Sequence, residues 1–338
     1  MRISTLKPAP LLLTLALAAC GGGGGGSDSS GGSTSPSAAP VDLTAANMET
    51  AGSTSVTAAD VGSAPPADIG DFLTGAQAAA RGPAGSAIQR VLEASLQAFV
   101  GASADDAASG ITLTRTEACS QSGNVALTIE DNNNGQIDAG DALTAQFNAC
   151  DNGEGVIDGR LSLDLTSLSG DFSPNGSASG NARLTELKIT SEGASVTATG
   201  AMGISLQQDA SSLVIEYRST NVRYTLAGPL RQGTLTVVDG VSTVSQTPTG
   251  TATTLTQSIS ADFPRFSGAI DIATTTPIVT ATGGEIQSGG LAVSGSNGRL
   301  TLSFLGGGQV QLELDANDDG TAEVSRSAVL AELEVTAF

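Results

Sequence analysis

The chain has no histidine and no tryptophan, and its 338 residues include only 8 Phe and 2 Tyr. Without imidazole, a serine or cysteine nucleophile has no histidine base, and zinc sites that use histidine are excluded. Lysine occurs only at Lys7 and Lys188, and no serine lies three residues before Lys188, which argues against a Ser–Lys pair. Rings for sugar-stacking platforms are scarce, as are the aromatic girdles that mark a transmembrane β-barrel. Cations are few as well: 14 Lys and Arg stand against 34 Asp and Glu, a net charge of −20. A nucleic-acid backbone must be met by clustered Lys and Arg, so no nucleic-acid partner is expected. Acids are plentiful enough for a carboxylate-based hydrolase, yet no spacing picks out a pair.

Cysteine is the next scarce residue, with Cys20, Cys119 and Cys150 the full set. Arg2 and Lys7 precede an apolar stretch from Ala9 to Ala19, too short to span a bilayer core of roughly 30 Å as a retained helix. That stretch ends in Leu17-Ala18-Ala19-Cys20 and is followed by six glycines, Gly21 to Gly26. The segment resembles the lipobox of bacterial lipoproteins. The resemblance implies removal of a signal peptide at 1–19, lipidation of Cys20, and a membrane partner engaged through that lipid. With Arg2 and Lys7 removed, 12 cations face 34 acids in the mature chain, a balance of −22 that would repel an anionic membrane surface. Gly21 stands where an aspartate retains many enteric lipoproteins in the inner membrane, so the same resemblance favours the outer membrane. The polyglycine run is similar to the tethers of surface-displayed lipoproteins of the transferrin-binding protein type, with the leaflet left open.

Residues 20–66 are rich in Gly, Ser, Ala and Thr and read as a flexible tether. From 67 to 105 the pattern turns helical: Ile88, Val91, Leu92, Leu96 and Phe99 form one apolar stripe from about Ala84 to Phe99, expected to dock on a core. Beyond residue 106 the period becomes two. Leu161, Leu163 and Leu165 alternate with polar neighbours, as do Leu213, Ile215 and Tyr217, and Leu300, Leu302 and Phe304. The fold class is therefore mainly β: a large antiparallel curled sheet of about a dozen strands, as a barrel, half-barrel or roll, with one N-terminal amphipathic helix region. Cys119 and Cys150 belong to this exported domain and are expected to pair, a cross-link contributing roughly 3–4 kcal/mol in the chain-entropy model.

Two Asp- and Asn-rich segments interrupt the strands. Glu130 to Asp141 places Glu130, Asn132, Asn134, Gln136, Asp138 and Asp141 at the first, third, fifth, seventh, ninth and twelfth positions around Gly135. Asp315 to Glu323 offers Asp315, Asn317, Asp319, Thr321 and Glu323 around Gly320, with Arg326 at the twelfth position. Both resemble the calcium loops of EF-hand and dockerin proteins, in which alternating oxygens around a tight glycine turn converge on one hard cation. That resemblance implies structural calcium. Without an ion the same residues make ordinary hairpin turns.

The expected product is an outer-membrane-anchored lipoprotein whose β domain has a structural or binding role, without catalysis. The alternative is a carrier that holds a lipid or other hydrophobic ligand in a half-barrel cavity. The partner protein or ligand is not specified by any motif.

Overall fold

The computed structural model describes residues 38–63 and 112–338, apart from 133–137, 152, 154, 171–174, 192 and 283. Cys20 with its lipobox, and the helix expected at Ala84–Phe99, lie outside the described residues. The first described element is α1 (Met48–Ser63). There follow β1 (Thr112–Ala118), β2 (Ser122–Glu130), β3 (Ala142–Asp151), β4 (Val156–Gly170), β5 (Gly176–Ser191), β6 (Ala194–Gln208) and β7 (Leu213–Ala227). Then come β8 (Gln232–Thr247), β9 (Gly250–Phe263), β10 (Phe266–Ala281), β11 (Ile286–Ser294), β12 (Arg299–Gly306), β13 (Gln309–Asp315) and β14 (Val324–Val329), and the one-turn helix α2 (Leu330–Leu333).

Every strand pairs antiparallel with its sequence neighbour, giving one 14-stranded sheet in the order β1 to β14 that does not close into a barrel. The period of two is what divides its faces: in β7, Ile215, Tyr217, Val222, Tyr224 and Leu226 are buried, while Arg218, Thr220, Arg223 and Thr225 are exposed. The inward residues of β2 to β14 join α1 and α2 in one core.

The sheet bends along a crease of bulges that crosses successive strands. Ala149 on β3, Glu186 on β5 and Asn221 on β7 adopt left-handed backbone with φ of 46°, 47° and 54°. Each lies against a glycine of the preceding strand: Gly123, Gly159 and Gly200. A Cβ on Gly159 would come within 2.2 Å of the Glu186 carbonyl oxygen, and one on Gly200 within 2.8 Å of the Val222 Cα. The register shifts at Phe147/Cys150, Asp158/Arg160, Leu184/Leu187, Thr199/Ala201 and Val237/Asp239 follow the same line across β3 to β9. Aligned bulges add twist and bend a strand, so the crease supplies curvature that a regular ladder lacks.

The segment read as a continuing tether through residue 66 is corrected here: over Met48–Ser63 it is α1, with Met48, residues 51–59 and Val61 buried. This helix packs on β7 through β13 and on α2. It carries no broad apolar stripe; Ala51, Gly52, Ser53, Thr54, Ser55, Thr57 and Ala58 are all buried. Small side chains let the surrounding sheet approach closely: a Cβ on Gly52 would lie 2.9 Å from Leu312 Cδ2. Two of its buried hydroxyls bond within the helix, Thr54 Oγ1 donating to the Thr50 carbonyl and Ser55 Oγ to the Gly52 carbonyl, each at 2.8 Å, while Thr57 Oγ1 is buried without a partner among the described residues. Such back-bonding removes the cost of burying a hydroxyl. At its start, the Asn47 carbonyl accepts the Ala51 N–H at 2.9 Å, and the Asn47 side chain accepts the Thr44 N–H at 2.8 Å. Upstream, the Leu43 N–H donates to Asn297 Oδ1 at 2.7 Å, holding the helix entry to the β11–β12 turn.

The C-terminal segment ties the end of the sheet back to its middle. Leu330 N–H donates to the Gly308 carbonyl, Ala337 N–H to Ser53 Oγ, and Arg265 N–H to the Ala337 carbonyl. Phe338 packs on Phe263 with ring centroids 4.5 Å apart. Under it lies a buried ion pair, Arg231 Nη2 to Glu334 Oε2 at 3.2 Å, with the guanidinium carbon 5.8 Å from the Phe338 ring centre. At the other edge Cys119 and Cys150 are bonded, with Cα atoms 5.4 Å apart, pinning the β1–β2 turn to β3.

Removing one member of a buried ion pair strands the other charge in the core. Glu334→Ala is expected to cost about 3 kcal/mol by urea unfolding, and Arg231→Met in the same chain to restore part of it. Equal stability of Glu334→Ala and the wild type would show that the C-terminal segment does not hold the sheet.

Candidate metal loops

The sequence singles out two hairpin loops, and an up-and-down meander places them at opposite ends of the sheet, because successive turns alternate ends. The β13–β14 loop is the more complete. Asp318 and Gly320 take left-handed backbone, φ 56° and 87°, and fold the loop back on itself. Asp315 Oδ2 accepts the Gly320 N–H at 2.7 Å, and Asp315 Oδ1 accepts the Asp319 N–H at 3.1 Å. Asn317 Oδ1 also accepts the Asp319 N–H, Asp319 Oδ1 accepts the Thr321 N–H, and Glu323 Oε2 accepts the Ala316 N–H.

The result is a convergence of charge. One carboxylate oxygen from each of Asp315, Asp319 and Glu323 lies within 4.8 Å of the others, the one such acidic group among the described residues. Oxygens on opposite sides of a calcium ion stand about 4.6–5.2 Å apart, so the spacing fits that ion. Thr321 enters the loop through its N–H bond to Asp319. Arg326, at the twelfth position, pairs with Glu49 of α1 at 2.9 Å. This loop therefore lacks the bidentate acid of an EF-hand.

The β2–β3 loop is organised differently. Asp141 is buried and both its oxygens are taken: Oδ1 accepts the Asn132 N–H and Oδ2 the Asp138 N–H, each at 2.9 Å. Asn132 Nδ2 donates to Asp138 Oδ1 at 2.6 Å and to the Ala139 carbonyl at 3.0 Å. The Asp141 backbone is bonded on to β4, its carbonyl accepting the Leu165 N–H at 2.8 Å. Glu130, Asp138 and Asp141 do not gather as the acids of the second loop do. Asn134 and Gln136 lie outside the described residues. Asp141 thus acts as a staple for its own loop.

Other reactive groups are spent structurally. Burial pushes the Tyr224 phenol upward, keeping it protonated. Asp209, at the exposed β6–β7 turn, is held at about 2 by N–H and hydroxyl donors from Ser211 and Ser212. Arg231 and Glu334 stand 103 residues apart, and no local pattern marks them as partners.

Compared with protein-family models, curated proteins and solved structures, the chain matches none.

A staple and a ligand respond differently to substitution. Asp141→Ala should lose about 2–3 kcal/mol of stability, equally with calcium and with chelator, because two backbone N–H donors lose a charged acceptor. A loss seen only in calcium would make Asp141 a ligand instead.

Proposed function

We propose that this is an outer-membrane lipoprotein, anchored through lipid on Cys20, whose β domain has a binding or structural role without catalysis. One observation carries the reading: the Leu17-Ala18-Ala19-Cys20 sequence, placed after a short apolar stretch and before six glycines. The lack of histidine and the structural use of Tyr224 and Asp141 support a non-enzymatic domain. We further propose that calcium, held by Asp315, Asp319 and Glu323 with Asn317 and Thr321 alongside, stiffens the β13–β14 hairpin. Three converging carboxylates repel one another, and a divalent ion between them relieves that cost.

The carrier alternative places a hydrophobic ligand on the concave face of the sheet. Along β7 to β13 that face holds α1, so a ligand there would have to displace a buried helix. The anchored binding domain is therefore the preferred reading.

Cys20→Ala should move the protein from the membrane fraction to the soluble fraction and abolish metabolic labelling with palmitate. Unchanged membrane attachment would contradict the anchor. For the metal, about 10 mM calcium should raise Tm by about 2–4 °C if the affinity is near 10⁻³ M. The double variant Asp315→Asn, Asp319→Asn should lose that rise. An identical Tm for the wild type in calcium and in chelator would reduce the loop to a turn.

A further inference from the structure

The outer face of the sheet distributes its cations unevenly. Arg160, Arg183, Lys188, Arg218 and Arg223 are all exposed on β4, β5 and β7 of a chain with net charge −20. The strand register sorts four of them along β6. Lys188 pairs across from Thr197, Arg223 from Thr199, Arg183 from Ala201 and Arg218 from Gly203. Positions 197, 199, 201 and 203 are successive outward residues of β6. Lys188 and Arg183 belong to β5 on one side, and Arg223 and Arg218 to β7 on the other. The cations therefore alternate sides along the strand, each step two residues, or about 6–7 Å.

Between them the floor is low. Thr197, Thr199, Ala201 and Gly203 are small, and a Cβ on Gly203 would meet nothing nearer than Arg218 Cβ at 3.6 Å. The β6 strand is thus the floor of a furrow walled by longer side chains of β5 and β7. Elsewhere two exposed cations pair with carboxylates, Arg115 with Glu117 and Arg326 with Glu49, each at 2.9 Å, while Arg265 and Arg299 stand singly at separate turns and strand ends. In the furrow only Arg218 is paired, with Glu216 at 2.7 Å. Arg183, Lys188 and Arg223 have no ion-pair partner among the described residues. The acid in register with Lys188 on β4 is Asp158, which accepts the Ala149 N–H of the neighbouring bulge at 2.7 Å, and exposed Glu186 sits in the β5 bulge beside Thr199 without an ion pair among the described residues. Gathering unpaired like charges costs self-repulsion, which a bound anion reverses.

We propose that the furrow along β6 binds a linear polysaccharide bearing carboxylates. An extended β-linked uronate chain turns successive carboxylates to opposite sides, as the cations alternate here. Arginine forks suit carboxylates, and the hydroxyls of Thr197, Thr199 and Thr220 face the same side of the sheet for sugar hydroxyls. Both tyrosines are buried in the core, so recognition rests on charge and hydrogen bonds instead of ring stacking. An acidic peptide would seek main-chain partners, which the face of a paired sheet does not offer. This assignment does not depend on the lipid anchor or on calcium.

The test is isothermal titration of the full chain in detergent with poly-β-D-mannuronate, at low salt and with chelator present so that no ion bridges acid to acid. The wild type should bind, more weakly as salt rises. The triple variant Arg183→Ser, Lys188→Ser, Arg223→Ser should bind at least tenfold more weakly, with an unchanged Tm, while Arg115→Ser on β1 binds as the wild type. No binding by the wild type, or equal binding by the triple variant, would overturn the proposal. So would poly-L-glutamate binding as tightly as the uronate polymer, since that result assigns the face to acidic peptide.

Discussion

Fourteen strands that share one apolar face cannot leave that face in water, and the rest of the structure follows from how it is covered. A flat antiparallel sheet of this width would need a second layer of equal size. This chain bends the sheet instead. The glycine-backed bulges from Gly123 to Asn221 give curvature, and β7 to β13 then wrap one helix. A helix inside so tight a turn must be thin, which is why α1 is built from Ala, Gly, Ser and Thr. The C-terminal segment completes the enclosure, with Phe338 over the Arg231–Glu334 pair and the backbone of Ala337 bonded to both α1 and the β9–β10 turn.

The strands were legible because each carries its apolar residues at every second position. Leu161, Leu163 and Leu165 are buried while the residues between them are not, and the same holds along β12 and β13. The helix was not legible, for a physical reason. Tether sequences and the inside of a tightly wrapped helix both favour small residues, one to avoid burial and the other to permit it. Composition could not separate them: α1 reads Met-Glu-Thr-Ala-Gly-Ser-Thr-Ser, with scattered Val and Ala after it. The one local cue lay just ahead, in Asn47, whose carbonyl accepts the Ala51 N–H of the first turn while its side chain bonds back to Thr44 and Asp42.

The two Asp-rich loops show the same limit on a smaller scale. Their spacing around glycine was visible in each, yet one gathers three carboxylates and the other uses its buried acid to hold backbone N–H groups. What differs is the surroundings. Asp141 leads into β3, paired on both sides, and is bonded to β4, whereas Asp315 to Glu323 leads into the short edge strand β14 and is largely exposed. The furrow along β6 was beyond the reach of sequence, because it depends on which residues of three strands stand level with one another.

The burial of α1 is the claim on which the enclosure rests. Native-state hydrogen exchange of the full chain, followed by mass spectrometry, tests it directly. Amides of 51–61 should exchange with the slow class of β8 and β9, since their opening requires the sheet to unwrap. Exchange of this segment at the rate of a free Gly/Ser-rich coil would contradict the account and return these residues to the tether.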